Sequence, residues 1–317
     1  MDPGIESETG GGASLRRRER QELHTRAKEP LRTADIRHMD SPRTVSDPRQ
    51  RSFKFLKVLA DDLSRGQVTF PTSVDATIRV RNALSDPDIN AGKLARVVSS
   101  EPLLSAKLMR TANSAAVNPG GKPISDVKNA VIRVGYATLK SLAVAVAMEQ
   151  MQAAEEIEPV RKHAEKVWRH SLDVAAIGFV IAHKMTKLNP DEALFAGIVH
   201  DIGKFYLLSR ACKYPELISD EEELETMLQD WHASIGNAVL GSLDVPEAVL
   251  KAVNDHEFGR YTMPPRTIAD VVVLANMAAH ALGPSGERGS LLKEPALAQL
   301  VKESEAEIRG LVTALHN

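Results

Sequence analysis

Apolar residues recur every three or four positions along most of this chain, which is the spacing of helices with one buried face. Leu56, Leu59 and Leu63 show it near the start of the patterned region. Alternating apolar and polar residues, the pattern of a half-buried strand, are not sustained in any segment. The sequence therefore predicts an all-α fold of short, closely connected helices.

Capping and turn residues mark where helices of the first half begin and end. Asn90 is placed to cap the start of one helix, and Ser125 the start of another. Asn113 ends a helix, and Gly135 closes the one that Ser125 opens. The segment over residues 139–151 is apolar on nearly all sides and is expected to be buried. Helices of the second half are predicted over residues 159–187, 191–200, 203–210, 221–242, 246–256, 265–282 and 294–316.

Composition and charge divide the chain into four regions. The first is polar and rich in Arg, Pro and Ser, with too few large apolar groups to offset the entropy cost of ordering, so we expect a disordered basic tail. Glu155, Glu156 and Glu158 mark the joint between two packed helical subdomains. The regions are the tail over residues 1–51, the subdomains over 52–155 and 156–284, and C-terminal helices over 285–317.

Net charge and targeting signals limit the classes of partner. The formal net charge of −2 argues against a general attraction to nucleic acid or to an anionic membrane, and the basic run Arg16–Arg20 is interpreted as part of a solvated tail. No apolar run approaches the roughly 20 residues of a membrane span, and the N-terminus lacks the shape of a signal peptide. Cys212 has no second cysteine to pair with, which fits a reducing compartment. These features predict a cytoplasmic protein.

Candidate chemistry starts with the adjacent pair His200 and Asp201, which stands at the end of a predicted helix. A neutral imidazole beside a carboxylate can bind one divalent cation, and this ligand pair suits Fe, Mn or Zn. Lys204 follows within one turn and could hold a phosphate oxygen or balance the acidic ligand. The structural alternative is an aspartate that caps the next helix beside a core histidine.

Three further histidines, His170, His232 and His256, lie on apolar faces of three other predicted helices. One such histidine is commonly a core residue with satisfied hydrogen bonds. Several of them beside an aspartate are harder to explain as packing, because each buried imidazole needs polar partners. We therefore predict a shared polar pocket, with His170, His200, Asp201, His232 and His256 as candidate metal ligands.

These residues and their separations resemble the HD superfamily of metal-dependent phosphohydrolases. That family uses one histidine, a His-Asp pair and a later aspartate as metal ligands, and its HD-GYP branch adds histidines for a second metal. By position, His170 matches the first histidine, and His200 and Asp201 match the pair. His232 and His256 match the additional histidines.

Features of both halves narrow the resemblance to HDOD domains, the HD-related output domains. The features that carry it are the turn Asp86–Asp88, Glu101 with Pro102, Asn113 with Ser114, Gly135, and the segments Trp168–Leu172 and His232–Gly236. The match covers residues 68–256. It implies an all-α protein with an HD-like second subdomain that acts in bacterial signalling as a binding or output module.

The catalytic pattern of the superfamily is incomplete in this chain. Asn276 stands where the family has its final aspartate, and a neutral amide binds a cation more weakly than a carboxylate does. Asp270 is six residues away, which places it on a different face of the helix. Asp255 precedes His256 where HD-GYP enzymes have two adjacent histidines, although aspartate can also bind a metal.

Three hypotheses for the function follow. The first is a non-catalytic regulatory module that binds a signalling protein or a small-molecule ligand, which Asn276 and the HDOD resemblance favour. The second is a divalent-metal phosphohydrolase acting on a nucleotide or cyclic dinucleotide, with Asp255 as an additional ligand and Lys204 positioning phosphate. Nucleic-acid binding through the basic tail is a third, which the near-neutral charge disfavours.

Several other residues have structural interpretations that we prefer. Trp168 and Trp231 flank two of the histidines and are expected to anchor the core rather than to wall a ligand pocket. Asn113 and Ser114 are expected to cap a helix end rather than to contact a ligand. Cys212 is expected to behave as a small, partly buried hydrophobe.

Overall fold

The computed structural model describes residues 48–65, 75–241, 245–257, 260–282 and 294–316. Every regular element in these ranges is a helix, which confirms the predicted all-α fold. The basic tail predicted over residues 1–51, with its run Arg16–Arg20, lies outside the described residues except for positions 48–51. Those positions begin the first helix.

The first half of the described chain contains five α-helices before the predicted acidic joint. They are α1 (Pro48–Ser64), α2 (Asp75–Leu84), α3 (Ala91–Ser99), α4 (Pro102–Ala112) and α5 (Val127–Ala153). The joint itself is a short 3-10 helix, Glu155–Val160, which contains all three acidic residues.

The second half is also helical, with boundaries within one turn of those predicted. Its helices are α6 (Arg161–Met185), α7 (Pro190–Val199), α8 (Ile202–Ala211), α9 (Pro215–Ile218), α10 (Glu221–Gly241), α11 (Glu247–Asp255) and α12 (Ile268–Leu282). The short α9 was not predicted. Two C-terminal helices follow, α13 (Pro295–Glu303) and α14 (Glu305–His316).

Side-chain caps fix two helix starts in the first half. Asn90 caps α3 as predicted, and its side-chain oxygen accepts hydrogen bonds from two backbone N–H groups of the first turn. The predicted cap of α5, Ser125, is wrong, because the carboxylate of Asp126 accepts the hydrogen bond from the N–H of Asn129. A carboxylate also complements the positive end of the helix dipole, which a serine hydroxyl does not.

Helix α5 is interrupted at Gly135, as predicted. The backbone there has φ 81° and ψ 166°, a conformation that favours glycine because it has no Cβ atom. By length and composition, α5 passes as a membrane-spanning helix, with a mean hydropathy of 1.5 over its most apolar window. Within the protein 61% of that window is buried, so α5 has the surroundings of a core helix, as residues 139–151 were expected to have.

The C-terminal region differs from the single helix predicted over residues 294–316. It forms α13 and α14, which meet at Ser304, where φ is −104° and ψ is 13°. Ser304 is buried, and its hydroxyl accepts a hydrogen bond of 2.9 Å from the ammonium of Lys184 on α6. The break therefore coincides with a contact to a distant helix, which a local apolar pattern does not report.

Helices α5 and α6 are the central helices of the two halves. α5 packs against α2, α3 and α4, whereas α6 packs against α12 and α14. α7 packs against both α5 and α6 and so joins the halves. The buried apolar side chains form one cluster that runs through both halves, and the chain from Pro48 onward is one compact unit.

Gly203 sets the spacing between α8 and α10. A Cβ atom at this position would lie 1.9 Å from the backbone oxygen of His232 and 2.7 Å from the backbone nitrogen of Gly236. Gly203 lies within α8, where glycine is required for space rather than for a turn. This close approach brings His232 next to Asp201.

Replacing Gly203 by alanine is expected to lower the free energy of unfolding by about 1–3 kcal/mol, because α8 and α10 must move apart. Chemical denaturation followed by circular dichroism measures this change. Gly310→Ala on α14 is the matched control, since nothing lies within 4 Å of a Cβ atom there. It should be neutral or stabilising because alanine favours the helix. Equal effects of the two substitutions would contradict the packing explanation.

Candidate functional site

The candidate site begins at the junction between α7 and α8. α7 ends at Val199, His200 and Asp201 form the connection, and α8 starts at Ile202. His200 is fully buried and Asp201 is 1% exposed. Because α7 is held against both α5 and α6, its end places an imidazole and a carboxylate side by side in the interior.

The structure brings the five candidate residues together in two groups that share Asp201. The ligand atoms of His170, His200 and Asp201 lie within 4.8 Å of one another, and we call these residues the outer group because His170 is partly exposed. The ligand atoms of Asp201, His232 and His256 also lie within 4.8 Å of one another. We call these three residues the inner group because all of them are buried.

Backbone carbonyl groups fix the tautomer of three of the histidines. The Nδ1 atoms of His200, His232 and His256 lie 2.7–2.8 Å from carbonyl oxygens about one turn earlier in the chain. A carbonyl oxygen can only accept, so each Nδ1 carries a proton and each Nε2 faces the pocket. This is the arrangement that orients a histidine for binding a metal through Nε2.

His232 and His256 face each other through their Nε2 atoms at 3.1 Å. Two lone pairs at this distance would repel, so a proton or another cation has to lie between the rings. Burial opposes a charge on His256, but the carboxylates of Asp201 and Glu257, each 3.5 Å from its Nε2, outweigh burial and raise its pKa to about 9. In metal-free protein His256 is therefore an imidazolium that donates to His232.

Lys204 and Glu257 complete the charges around the inner group. The Lys204 ammonium lies 2.9 Å from Asp201 Oδ2, and the Glu257 carboxylate lies 3.5 Å from Nε2 of both His232 and His256. Burial alone would raise the pKa of Asp201, but Lys204 leads the groups that hold it well below its usual range. Two carboxylates thus face one ammonium and one imidazolium, and these charges balance.

His170, in the outer group, is bound to Asn276. Its Nε2 lies 2.8 Å from the amide oxygen of Asn276, which can only accept, so Nε2 carries the proton. Burial, reinforced by His200, lowers the pKa of His170 to about 3 and keeps the ring neutral. In this arrangement Nε2 has no lone pair to offer a metal, and the lone pair of the ring is on Nδ1.

The inner group has the dimensions of a divalent-metal site. Asp201 Oδ1 lies 3.6 Å from His232 Nε2 and 3.5 Å from His256 Nε2, and the two nitrogens are 3.1 Å apart. Donor atoms bound to a tetrahedral Zn ion are about 3.3–3.4 Å apart. Asp201 Oδ1 and His200 Nε2 are also buried without a hydrogen-bond partner in the described ranges. These nitrogen and oxygen donors fit Fe, Mn or Zn.

Two acidic residues considered from the sequence lie outside both groups. Asp255 accepts hydrogen bonds from the ammonium of Lys251, at 2.6 Å, and from the amide of Asn254. Asp270 lies in the first turn of α12 and accepts hydrogen bonds from three backbone N–H groups of the preceding loop. Asp270 therefore holds the loop before α12 against the start of the helix, and Asp255 is part of a charge pair on α11.

Glu257 and His280 belong to the pocket but were not singled out from the sequence. Glu257 directly follows His256, so an acidic residue adjacent to a candidate ligand was the available signal. The ring of His280 lies 4.4 Å from that of His170, measured between centroids. His280 follows Asn276 by four residues, a spacing that places both on one helix face.

The tryptophans, Asn113 and Cys212 were expected from the sequence to have structural roles, and the structure shows packing or hydrogen bonds for them. Trp168 is 1% exposed and packs edge-on against an aromatic ring of α8, and Trp231 is partly buried. Asn113 ends α4 and binds the loop before α5 through its side-chain amide. Cys212 is partly buried and its Sγ lies 3.2 Å from a backbone oxygen of α8.

The stability of the metal-free protein should depend on pH through His256. The pKa of a histidine is about 6.5 in the unfolded chain, and that of His256 is raised to about 9 in the folded protein. The folded state therefore binds this proton more tightly. The resulting stabilisation, up to about 3 kcal/mol, is fully present below pH ~6.5 and is lost as the pH rises through ~9.

Denaturation midpoints measured between pH 6 and 10 in chelator would show this dependence for the wild type and not for His256→Gln. His316→Gln, at an exposed position on α14, is the control and should follow the wild type. Parallel profiles for the wild type and His256→Gln would contradict a protonated His256.

Comparison with known proteins gives a family and several related proteins. The family model for the HDOD domain matches residues 70–258. A structure from Shewanella amazonensis SB2B, described as a candidate metal-dependent phosphohydrolase, aligns with a TM-score of 0.70 and 26% identity over 84% of this chain and 100% of its own. A candidate signal transduction protein from Marinobacter aquaeolei VT8 aligns with a TM-score of 0.52 and 18% identity, over 85% of this chain and 66% of its own.

An uncharacterized protein from Treponema pallidum (strain Nichols) is 23% identical over 265 residues, which are 78% of this chain and 48% of that protein. This chain thus spans about half the length of the curated relative that it matches. The family match covers more than half of this chain and includes both the outer and the inner group, apart from Asn276 and His280 beside them. The chain therefore belongs to the HDOD domain family.

Proposed function

We propose that this protein is a bacterial signal-transduction module that binds a partner protein or a small ligand and does not catalyse phosphoester hydrolysis. The observation that carries this proposal is the 2.8 Å hydrogen bond between His170 Nε2 and the amide oxygen of Asn276. Membership of the HDOD family, and the description of the Marinobacter neighbour as a candidate signal transduction protein, support the signalling role. The lone Cys212 fits a cytoplasmic location.

The outer group lacks what the resemblance to HD phosphohydrolases implies. In those enzymes a final aspartate completes the ligand set that His170, His200 and Asp201 match by position. Here Asn276 offers a neutral oxygen and keeps a proton on His170 Nε2. A metal ion in the outer group would therefore gain only a weak ligand from Asn276, and it would have to break this hydrogen bond in order to bind His170 through Nε2.

The inner group can hold one metal ion without being catalytic. Asp201, His232 and His256 would bind it, and each of these residues is only 1–2% exposed. A catalytic metal site keeps a coordination position open for water or substrate. The burial of all three residues favours an ion that stabilises or reports the state of the pocket.

A divalent-metal phosphohydrolase acting on a nucleotide or cyclic dinucleotide is the second candidate. It is favoured by the buried atoms His200 Nε2 and Asp201 Oδ1, which have no hydrogen-bond partner among the described residues, and by the description of the Shewanella neighbour. In that case each group would hold one ion, which would supply a bound water of lowered pKa. Lys204 would have to leave Asp201, 2.9 Å away, in order to reach a phosphate oxygen.

Metal stoichiometry separates the two candidates. Protein prepared without affinity-tag histidines and loaded with Mn, Fe or Zn should hold at most one ion per chain by elemental mass spectrometry, and His232→Ala should lose it. Asn276→Asp should admit a second ion, because the carboxylate adds an anionic ligand. Asn82→Asp, at an exposed position on α2, is the matched control and should leave the stoichiometry unchanged.

Hydrolysis assays give an independent measurement. The wild type loaded with each metal should cleave nucleotides, cyclic dinucleotides and a chromogenic phosphodiester no faster than His200→Ala, because no carboxylate stands at position 276 to complete the ligand set of the outer group. Two ions per wild-type chain, together with hydrolysis that His200→Ala abolishes, would replace this proposal with the second candidate.

A further inference from the structure

Lys107 is a fully buried lysine that lies outside the pocket. It is on α4 and has none of its surface exposed. Its ammonium donates a 2.6 Å hydrogen bond to the backbone oxygen of Leu315 on α14. The same ammonium lies 3.1 Å from Glu149 Oε2 on α5, so one side chain links three helices.

A buried lysine is unfavourable unless it supplies something that an apolar residue cannot. Moving an ammonium group out of water is costly, and burial lowers the pKa of Lys107 against the opposing influence of Glu149. A methionine would fill a similar volume without that cost, and buried ion pairs are often replaceable by apolar residues. What the ammonium adds is a charged donor to the carbonyl of Leu315.

The carbonyl of Leu315 lies at the C-terminal end of α14, which ends at His316. Carbonyl groups in the last turn of a helix have no partner within the helix. A cation at this end satisfies the carbonyl and also complements the negative end of the helix dipole. Lys107, from the first half, therefore caps the C-terminal helix.

Lys184 holds the other end of α14 from the second half. It is on α6, and its ammonium lies 2.6 Å from Glu307 Oε2 and 2.9 Å from Ser304 Oγ, at the start of α14. α14 packs against both α4 and α6 between these two ends. The side chains that are buried along it include Ile308, Leu311 and Leu315.

We propose that α14 is a strap that, together with the packing of α7, fixes the first half of the protein relative to the second, and that Lys107 is its latch on the first half. The HDOD family match ends at residue 258, so α14 lies outside the matched domain. The strap does not depend on what the pocket binds. Its release would separate Lys107 from Leu315 and uncover apolar side chains of α4 and α6, which gives the module a second conformation.

Hydrogen exchange measured by mass spectrometry on the full chain tests the latch. Lys107→Met keeps the side-chain length and removes the charge. Backbone amides of residues 305–316 should then exchange about tenfold faster or more, because a charge-assisted hydrogen bond is lost. Amides of α12, which provides neither polar partner of Lys107, should keep the wild-type rate. Wild-type exchange in residues 305–316, or equal acceleration throughout the chain, would overturn the latch.

A double variant separates the latch from simple charge balance with Glu149. If Lys107 only neutralises Glu149, Lys107→Met/Glu149→Gln should restore slow exchange in α14. If Lys107 holds α14 through Leu315, exchange in the double variant should stay fast. Lys93→Met, which removes a lysine from an exposed ion pair with Asp86, is the matched control and should behave as the wild type.

The strap is tested by the distance between the halves. Spin labels at Arg133→Cys on α5 and Lys166→Cys on α6, both exposed, in a Cys212→Ala background, report this distance by pulsed electron resonance. The distribution should broaden in Lys107→Met. Fast hydrogen exchange in α14 together with an unchanged distribution of distances between the labels would overturn the strap. If Lys107→Met does not fold, Lys184→Met removes the partly exposed lysine at the start of α14. This variant should also show faster hydrogen exchange in residues 305–316 and a broader distribution of distances.

Discussion

The buried carboxylate of Asp201 organises the pocket and the helices around it. A carboxylate that is 1% exposed stays ionised only if positive groups surround it. Lys204, one turn along α8, is one of these groups, and the imidazolium of His256, at the end of α11, is the other. Asp201 therefore ties α8 to α11, and the missing side chain of Gly203 lets α10 approach so that His232 faces the same carboxylate.

A proton and a metal ion are alternative ways to satisfy the inner group. The Nε2 atoms of His232 and His256, 3.1 Å apart, need positive charge between them. In metal-free protein the proton on His256 provides it, and a divalent ion would displace that proton, so that binding would release it. The backbone carbonyls that hold both Nδ1 atoms stay in place in either case. The pocket can therefore change its charge without a change of fold.

Much of the fold and of the pocket could be predicted from the spacing of residues along the chain. Helices follow from apolar periodicity, and the pocket follows from an adjacent His-Asp pair with histidines on apolar helix faces. The features that sequence reasoning missed depend on residues far apart in the chain. Ser304 binds Lys184 across 120 positions, and Lys107 binds Leu315 across 208 positions. A lysine or a serine within a helical pattern gives no sign of such a partner.

The amide of Asn276 removes the need of the outer group for a nearby cation. The amide oxygen of Asn276 accepts a hydrogen bond from the neutral His170 and carries no net charge, so this pair needs no cation. An aspartate there would accept only, and its buried negative charge would need a metal or a proton beside it. The inner group keeps its carboxylate and therefore keeps that need. The two groups share Asp201 but differ in whether they require positive charge, and we expect this difference, rather than the number of histidines, to set how many metal ions the pocket can bind.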